Sequence, residues 1–406
     1  MDYRSWRGKM SETNNFEKKI LVVLTGGTIC SEYQGNIKSQ GNKAGTILEK
    51  NFRNSYSKYA NKVYFKTTEN FGIFSENVTV EKWNEILGKL RVMPEIRDTA
   101  IAHGNYPSLD GQTIISQDNV FDGIIIAHGT DTLAYSSALF SIFMRNMGVP
   151  VFIVSSNEAL SSDNANGTLN FIAAVECICE AIKPNVYVTY RNSVDRTMYL
   201  HYASRLTQCK NYQEDFYSFG MVDITNVCSK SFERLPKIYN NSTWEDSERD
   251  VFFVDLFDPW KLNNVVLRID PYVGLNYNFF DFSSVKAILH GTYHSGTVCT
   301  EKTENSSNYG CNSILSMLDK CSEIPVYIAP SDFTGGIYDT ILIVANHGRS
   351  NVKFINGYTM EMLYIKLLIA YSIDAWSDSI INVFLANEYN CEFVIDINSS
   401  TQIMYQ

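Results

Sequence analysis

Residues 22–31 read VVLTGGTICS, and the fold turns on why an apolar run stops in Thr-Gly-Gly-Thr. The run, KILVVL over 19–24, is short enough for a buried strand. A Gly-rich turn at the carboxyl end of such a strand can cradle a phosphate, or it can hold a hydroxyl out into a cleft as a nucleophile. This one lacks the lysine of a phosphate loop and the third glycine of a dinucleotide fingerprint. A plain strand-to-helix turn with a threonine cap is the alternative.

Runs like the first recur as DGIIIAH (122–128), VPVFIVS (149–155) and NVYVTY (185–190). Between them lie stretches of helical period: VTVEKWNEILGKLR (78–91), DTLAYSSALFSIFMRNM (131–147) and LNFIAAVECICEAI (169–182). Strands alternating with helices predict a parallel sheet covered on both faces. The polar stretch NNSTWEDSERD (240–250) breaks the pattern, after which NVVLRI (264–269), VKAILH (285–290) and PVYIAP (325–330) resume it as strands. NSILSMLDKC (312–321) and TMEMLYIKLLIAYS (359–372) read as helices. The expected architecture is therefore α/β with two domains. A larger N-terminal, three-layer parallel-sheet domain occupies 19–235, a linker 236–260, and a smaller C-terminal flavodoxin- or Rossmann-like α/β domain 261–406.

A length of 406 residues favours two cores over one. The formal net charge of -10 argues against nucleic acid and anionic membrane as partners, leaving a small molecule or another copy of the chain. Nine cysteines, an odd number without CxxC pairs, indicate reduced thiols rather than a disulfide framework or a zinc site. The first 18 residues are polar and read as a loose leader, and no apolar run suggests a membrane span, so the cytoplasm is the expected location.

In open parallel sheets, ligands bind beyond the carboxyl ends of the strands. There the first strand places TGGTI, with Thr25 and Thr28, and the strand GIIIA places HGTDTL (128–133), with Gly129, Thr130 and Asp131. Either turn alone could be a helix cap. Together they set threonine hydroxyls beside a carboxylate and Gly-rich backbone N–H groups, a combination that permits acyl transfer through an oxyanion. His290 and His294 have the spacing of a metal pair only on a helix, and Gly291 argues for a turn there. Cys177 and Cys179 fall on an apolar helix and read as core.

LTGGTI followed by HGTDTL, each after an apolar strand, resembles the two signatures of the bacterial-type L-asparaginases. FSENVTVEKW (74–83), NGTLNF (166–171), SVKAILHGTYHSGT (284–297) and YTMEMLYIKLLIAYS (358–372) extend the resemblance over most of the chain. It implies hydrolysis of the side-chain amide of L-asparagine to aspartate and ammonia, with neither metal nor organic cofactor. In that scheme Thr25 attacks the amide carbon to form an acyl ester. Thr130 and Asp131 make up the second catalytic group. Ser75, Glu76, Gly129 and Asp131 hold the substrate, and Tyr33 helps activate the first threonine. A homodimer or homotetramer is implied, each site being shared between neighbours.

The pattern departs at SRLTQCKNYQEDFYS (204–218), where the family's catalytic lysine falls on Gln208. Lys210 lies two residues on and points the same way if the chain there is extended. Asn166 stands where the family has aspartate. A binding protein that has lost turnover, and an amidase for glutamine or a peptide amide, are the alternative expectations.

Overall fold

A computed structural model describes residues 16–34, 37–104, 114–235, 254–258, 261–302, 308–331 and 337–394. Most of the expected leader and the stretch 240–250 lie outside the described residues. The chain opens with β1 (Lys18–Leu24), a hairpin of β2 (Ser31–Gln34) and β3 (Ile37–Gln40), α1 (Ala44–Arg53) and β4 (Val63–Thr67). Helices α2 (Val80–Val92) and α3 (Pro94–His103) precede β5 (Gly123–Ala127), α4 (Leu133–Phe143), β6 (Val151–Val154) and α5 (Gly167–Cys179). Then come β7 (Val186–Arg191), β8 (Met198–Tyr202), β9 (Leu206–Thr207), β10 (Tyr217–Ser218) and β11 (Val222–Asp223).

Seven strands form one sheet in the order β11-β8-β7-β6-β5-β1-β4. From β4 to β7 all neighbours are parallel, while β8 and β11 close one side antiparallel. β1 shows why. Its alternate residues go to different cores: Ile20, Val22 and Leu24 pack with α1 and α5, while Leu21 and Val23 pack with α2, α3 and α4. A strand buried on both faces has no polar side to turn to water, so helices must cover both. β1 pairs with β4 on one side and β5 on the other (Val22 opposite Thr67, Leu24 opposite Ala127). The chain order reverses across β1, which opens a crevice at the carboxyl ends of β1 and β5.

The second sheet is parallel, ordered β12 (Val266–Ile269), β13 (Ala287–Gly291), β14 (Val326–Ala329) and β15 (Val352–Phe354). Helices α6 (Ile314–Lys320) and α7 (Asp339–Ala345) cover one face. Helices α8 (Met360–Ser372) and α9 (Asp378–Ala386) lie on the other, where their apolar residues join those of α2 and α4 in one continuous core. Val254 and Leu256, from the expected linker, are buried in that same core. The hairpin, α1, β4, α3, β8 to β11, α7, β15 and α9 are additions to the sequence reading.

The segment 387–394 returns from the second domain to the first. Ser204 Oγ donates to Asn390 O (2.7 Å) and Asn390 Nδ2 to Ser141 O (2.7 Å). Its anchor is a fully buried ion pair, Lys366 of α8 with Glu392 at 3.0 Å. The ammonium also donates to Asn387 O (2.7 Å) and Tyr358 OH (3.1 Å), and Glu392 accepts from Tyr389 N (2.7 Å). Removing one partner strands the other charge away from water. Lys366→Met is expected to cost about 3–5 kcal/mol in denaturant unfolding, and adding Glu392→Gln is expected to restore most of it. Equal losses in the single and double variants would show that the charges themselves are not what the segment depends on.

Candidate active site

Three loops meet at the crevice: the TGGT turn after β1, the HGTDT turn after β5, and the segment 73–76 beyond β4. Gly27 N donates to Ile73 O (2.9 Å) and Ile73 N to Thr25 O (3.1 Å), which stitches the first loop to the third. Gly27 has φ 80°, and a methyl placed on it would lie 2.2 Å from Gly129 Cα. A methyl on Gly129 would in turn lie 2.3 Å from Ser75 Oγ. Only hydrogen fits at these two positions, so the backbones touch.

The two threonines of TGGT have different fates. Thr25 is 2% exposed, and its hydroxyl donates to Ala127 O at 2.8 Å. That placement does not fit the expectation that Thr25 is the nucleophile, because the hydroxyl is turned inward and spent on the neighbouring strand. Thr28, beyond the positive-φ glycines, opens a short 3-10 helix (Thr28–Cys30) and is half-exposed. Its hydroxyl makes no hydrogen bond among the described residues.

In the second turn, Ser75 Oγ donates to Asp131 Oδ2 at 2.9 Å and lies 3.3 Å from Asp131 N. Thr132 Oγ1 donates to Ser75 O at 3.0 Å. Thr130 is half-exposed, and Asp131 and Glu76 are exposed. Neither carboxylate is in an ion pair among the described residues, so both are available to an ammonium group. The backbone N–H groups of Thr28, Gly129 and Thr130 have no hydrogen-bond acceptor among the described residues, and such donors suit an oxyanion. His128 is buried, which lowers its pKa, and its Nδ1 lies 2.8 Å from Gly129 O; the neutral ring braces the turn.

Lys210 makes no side-chain hydrogen bond or ion pair with the three loops among the described residues. β9 ends at Thr207 and the chain turns, with Gln213 N donating to Lys210 O (3.0 Å), so the period-two argument has no strand to act on. Lys210 is exposed. Gln208 reaches the site instead, its Nε2 donating to Thr130 O at 2.9 Å and its Oε1 accepting from Ala134 N at 3.1 Å. Tyr33 lies on β2, paired with Lys38 on β3, and its side chain is outside the described set. His290 is buried, with Nε2 2.7 Å from Tyr277 OH, in a structural setting. Cys177 is buried on α5, and Cys179 is partly exposed at its end. Asn166 bonds Asn157 and Arg191 O, away from the three loops. No group of three or more His, Cys, Asp or Glu residues able to hold a metal occurs among the described residues. Nor is any helix among them long and apolar enough to cross a membrane.

Residues 112–234 match the family model described as Asparaginase, N-terminal. The thermostable L-asparaginase of Thermococcus kodakarensis superposes with a TM-score of 0.64 at 20% identity, covering 92% of this chain and 99% of that one. L-asparaginase I of Vibrio cholerae gives 0.59 at 18%, covering 93% and 99%. Among curated sequences, a glutamyl-tRNA(Gln) amidotransferase subunit from Pyrococcus abyssi is 23% identical over 214 residues, which is 52% of this chain and 42% of that protein. Its namesake from Sulfolobus acidocaldarius is 27% identical over 326 residues, 77% of this chain and 64% of that protein. The chain thus spans less than two thirds of the length of these relatives.

The close approach of the loops can be tested apart from backbone strain. Gly72 also has positive φ (74°), but a methyl there meets nothing within 4 Å. Gly72→Ala is expected to cost only the left-handed strain, about 1–2 kcal/mol. Gly27→Ala adds a backbone collision and should cost on the order of 3 kcal/mol or more. Equal unfolding midpoints for the two variants would refute the contact.

Proposed function

We propose that this chain, a divergent member of the asparaginase family, is an amidohydrolase that uses Thr28, rather than Thr25, as its nucleophile. The observation that carries this reading is the contrast between the two hydroxyls: Thr25 is bonded inward to Ala127 O, and Thr28 stands unbonded at the crevice. Thr28 Oγ1 attacks the amide carbon, and the N–H groups around Gly129 receive the oxyanion. Ammonia leaves with the proton, an acyl-threonine ester remains, and water hydrolyses it. Asp131 and Glu76 take the substrate's ammonium end, with Ser75 orienting Asp131 through their 2.9 Å bond. Gly129 lets the loops close on the substrate, and Tyr33, on the hairpin after Thr28, assists the hydroxyl. The preferred substrate is L-asparagine, and the protein acts in the cytoplasm as a homodimer or homotetramer.

A second reading draws on the relatives named as glutamyl-tRNA(Gln) amidotransferase subunits: the chain releases ammonia from an amide within a larger assembly. The net charge of -10 weighs against direct contact with tRNA. Glutamine turnover that appears only with partner subunits would favour this reading.

The test is ammonia release from L-asparagine and L-glutamine by wild type, Thr28→Ala and Thr25→Val. Thr28→Ala is expected to lose turnover by at least about a thousandfold. Thr25→Val is expected to retain it within about tenfold and to lose about 1–2 kcal/mol of stability with the buried hydrogen bond. The reverse pattern would return the nucleophile to Thr25. No turnover in wild type, with asparagine still raising its Tm, would mark a binding protein instead.

A further inference from the structure

The first turn of an α-helix leaves its N–H groups without partners inside the helix, and the usual remedy is a Ser, Thr, Asp or Asn side chain at the N-cap. At α4 the residues of the right type are present in HGTDT and are not used. Thr132 occupies the N-cap position without a side-chain cap bond, because its hydroxyl donates to Ser75 O at 3.0 Å. The carboxylate of Asp131 holds Ser75 Oγ at 2.9 Å and is otherwise exposed.

The cap comes from 74 residues away. Gln208 Oε1 accepts from Ala134 N, in the first turn of α4, at 3.1 Å. Gln208 Nε2 donates to Thr130 O at 2.9 Å and approaches Cys209 Sγ at 3.6 Å. Thr130 O also accepts from Leu133 N at 3.2 Å. One amide thus bridges both ends of the turn from Thr130 to Ala134. Its own backbone follows β9, which pairs with β10, and the stretch just before β9 is tied to the segment 387–394 through Ser204 and Asn390.

We propose that Gln208 is a positioning residue, a remote cap of α4 that holds the Thr130–Asp131 turn in place and so frees the side chains of Thr130 and Asp131 for the substrate. This rests on the amidohydrolase reading for its consequence in turnover, but not for the clamp itself. The chemistry of the side chain is specific. A primary amide donates and accepts at once, a carboxylate only accepts, and an ammonium only donates. The substitution Gln208→Glu would therefore keep the bond from Ala134 N and set a carboxylate against Thr130 O. Gln208→Lys would keep the bond to Thr130 O and leave Ala134 N open.

The experiment compares wild type, Gln208→Ala, Gln208→Glu and Gln208→Lys by kcat and KM for asparagine, by Tm, and by hydrogen exchange at the Ala134 amide. Exchange at Ala134 should quicken in the Ala and Lys variants and stay near wild type in the Glu variant. Gln208→Ala and Gln208→Glu should lose kcat by about tenfold or more, with a smaller change in KM, while remaining folded at the assay temperature; Gln208→Lys, which puts a lysine where the family's catalytic lysine falls, is read by Ala134 exchange and Tm alone. Unchanged Ala134 exchange in Gln208→Ala, or kcat within about twofold of wild type in that variant, would overturn the proposal. If wild type hydrolyses no amide, the functional reading fails, and the Ala134 exchange pattern across the three variants still decides whether the clamp exists. If Gln208→Ala does not fold, the near-isosteric Gln208→Glu against Gln208→Lys carries the comparison.

Discussion

The backbone contact between Gly27 and Gly129 is the constraint from which the rest of the crevice follows. The β1–β5 register brings the two turns side by side, with Leu24 opposite Ala127. Two turns at that spacing cannot both carry side chains toward each other, since a methyl on Gly27 would stand 2.2 Å from Gly129 Cα. Once the glycines let them touch, Thr28 and Thr130 each follow the contact by one residue, and both are half-exposed. Ser75 is drawn in as the third member, near enough to bond Asp131.

Polar groups at the crevice are divided between those spent on structure and those left over. Thr25, Thr132 and His128 are committed to backbone carbonyls at Ala127, Ser75 and Gly129. Thr28 and the carboxylate of Glu76 are not. Asp131 is half committed, through Ser75 alone. Such a division is what a site needs, because a buried polar group without a partner is costly and a reactive one must not be saturated. The cost is met from outside the motif, by Gln208 just after β9, on a stretch of the first domain that Ser204 ties to the returning segment 387–394.

That segment also couples the second domain to the crevice. Lys366 and Glu392 hold the last described stretch under α8, and Asn390 passes the attachment to Ser204. Apolar packing between α4 and α8 runs alongside. The second domain thus supports the wall on which Gln208 stands, over and above any substrate contact it makes. A packed, hydrogen-bonded wall of this kind limits how far the Thr130–Asp131 turn can drift.

Much of this is legible in the sequence, and the reason is periodicity. Continuous apolar runs such as KILVVL and GIIIA mark strands buried on both faces, and the TGGT and HGTDT turns mark where they end; the fold class and the location of the crevice follow from local pattern alone. The hairpin, β4 and the antiparallel β8 escape that reading because short or half-polar strands have no comparable signature. Local pattern could not tell which of Thr25 and Thr28, the same residue type in the same motif, is hydrogen-bonded inward. Ala127, 102 residues from Thr25, takes the first hydroxyl, while Thr28, past the positive-φ glycines, is half-exposed. Nor could local pattern show that Gln208, just past the end of β9 at Thr207, bonds both Thr130 O and Ala134 N. The sequence by itself determined which continuous apolar runs are buried strands and where their turns are glycine-rich. The tertiary structure decided which polar groups those turns leave free, because hydrogen-bond partners so distant along the chain are set only by the register of the sheet.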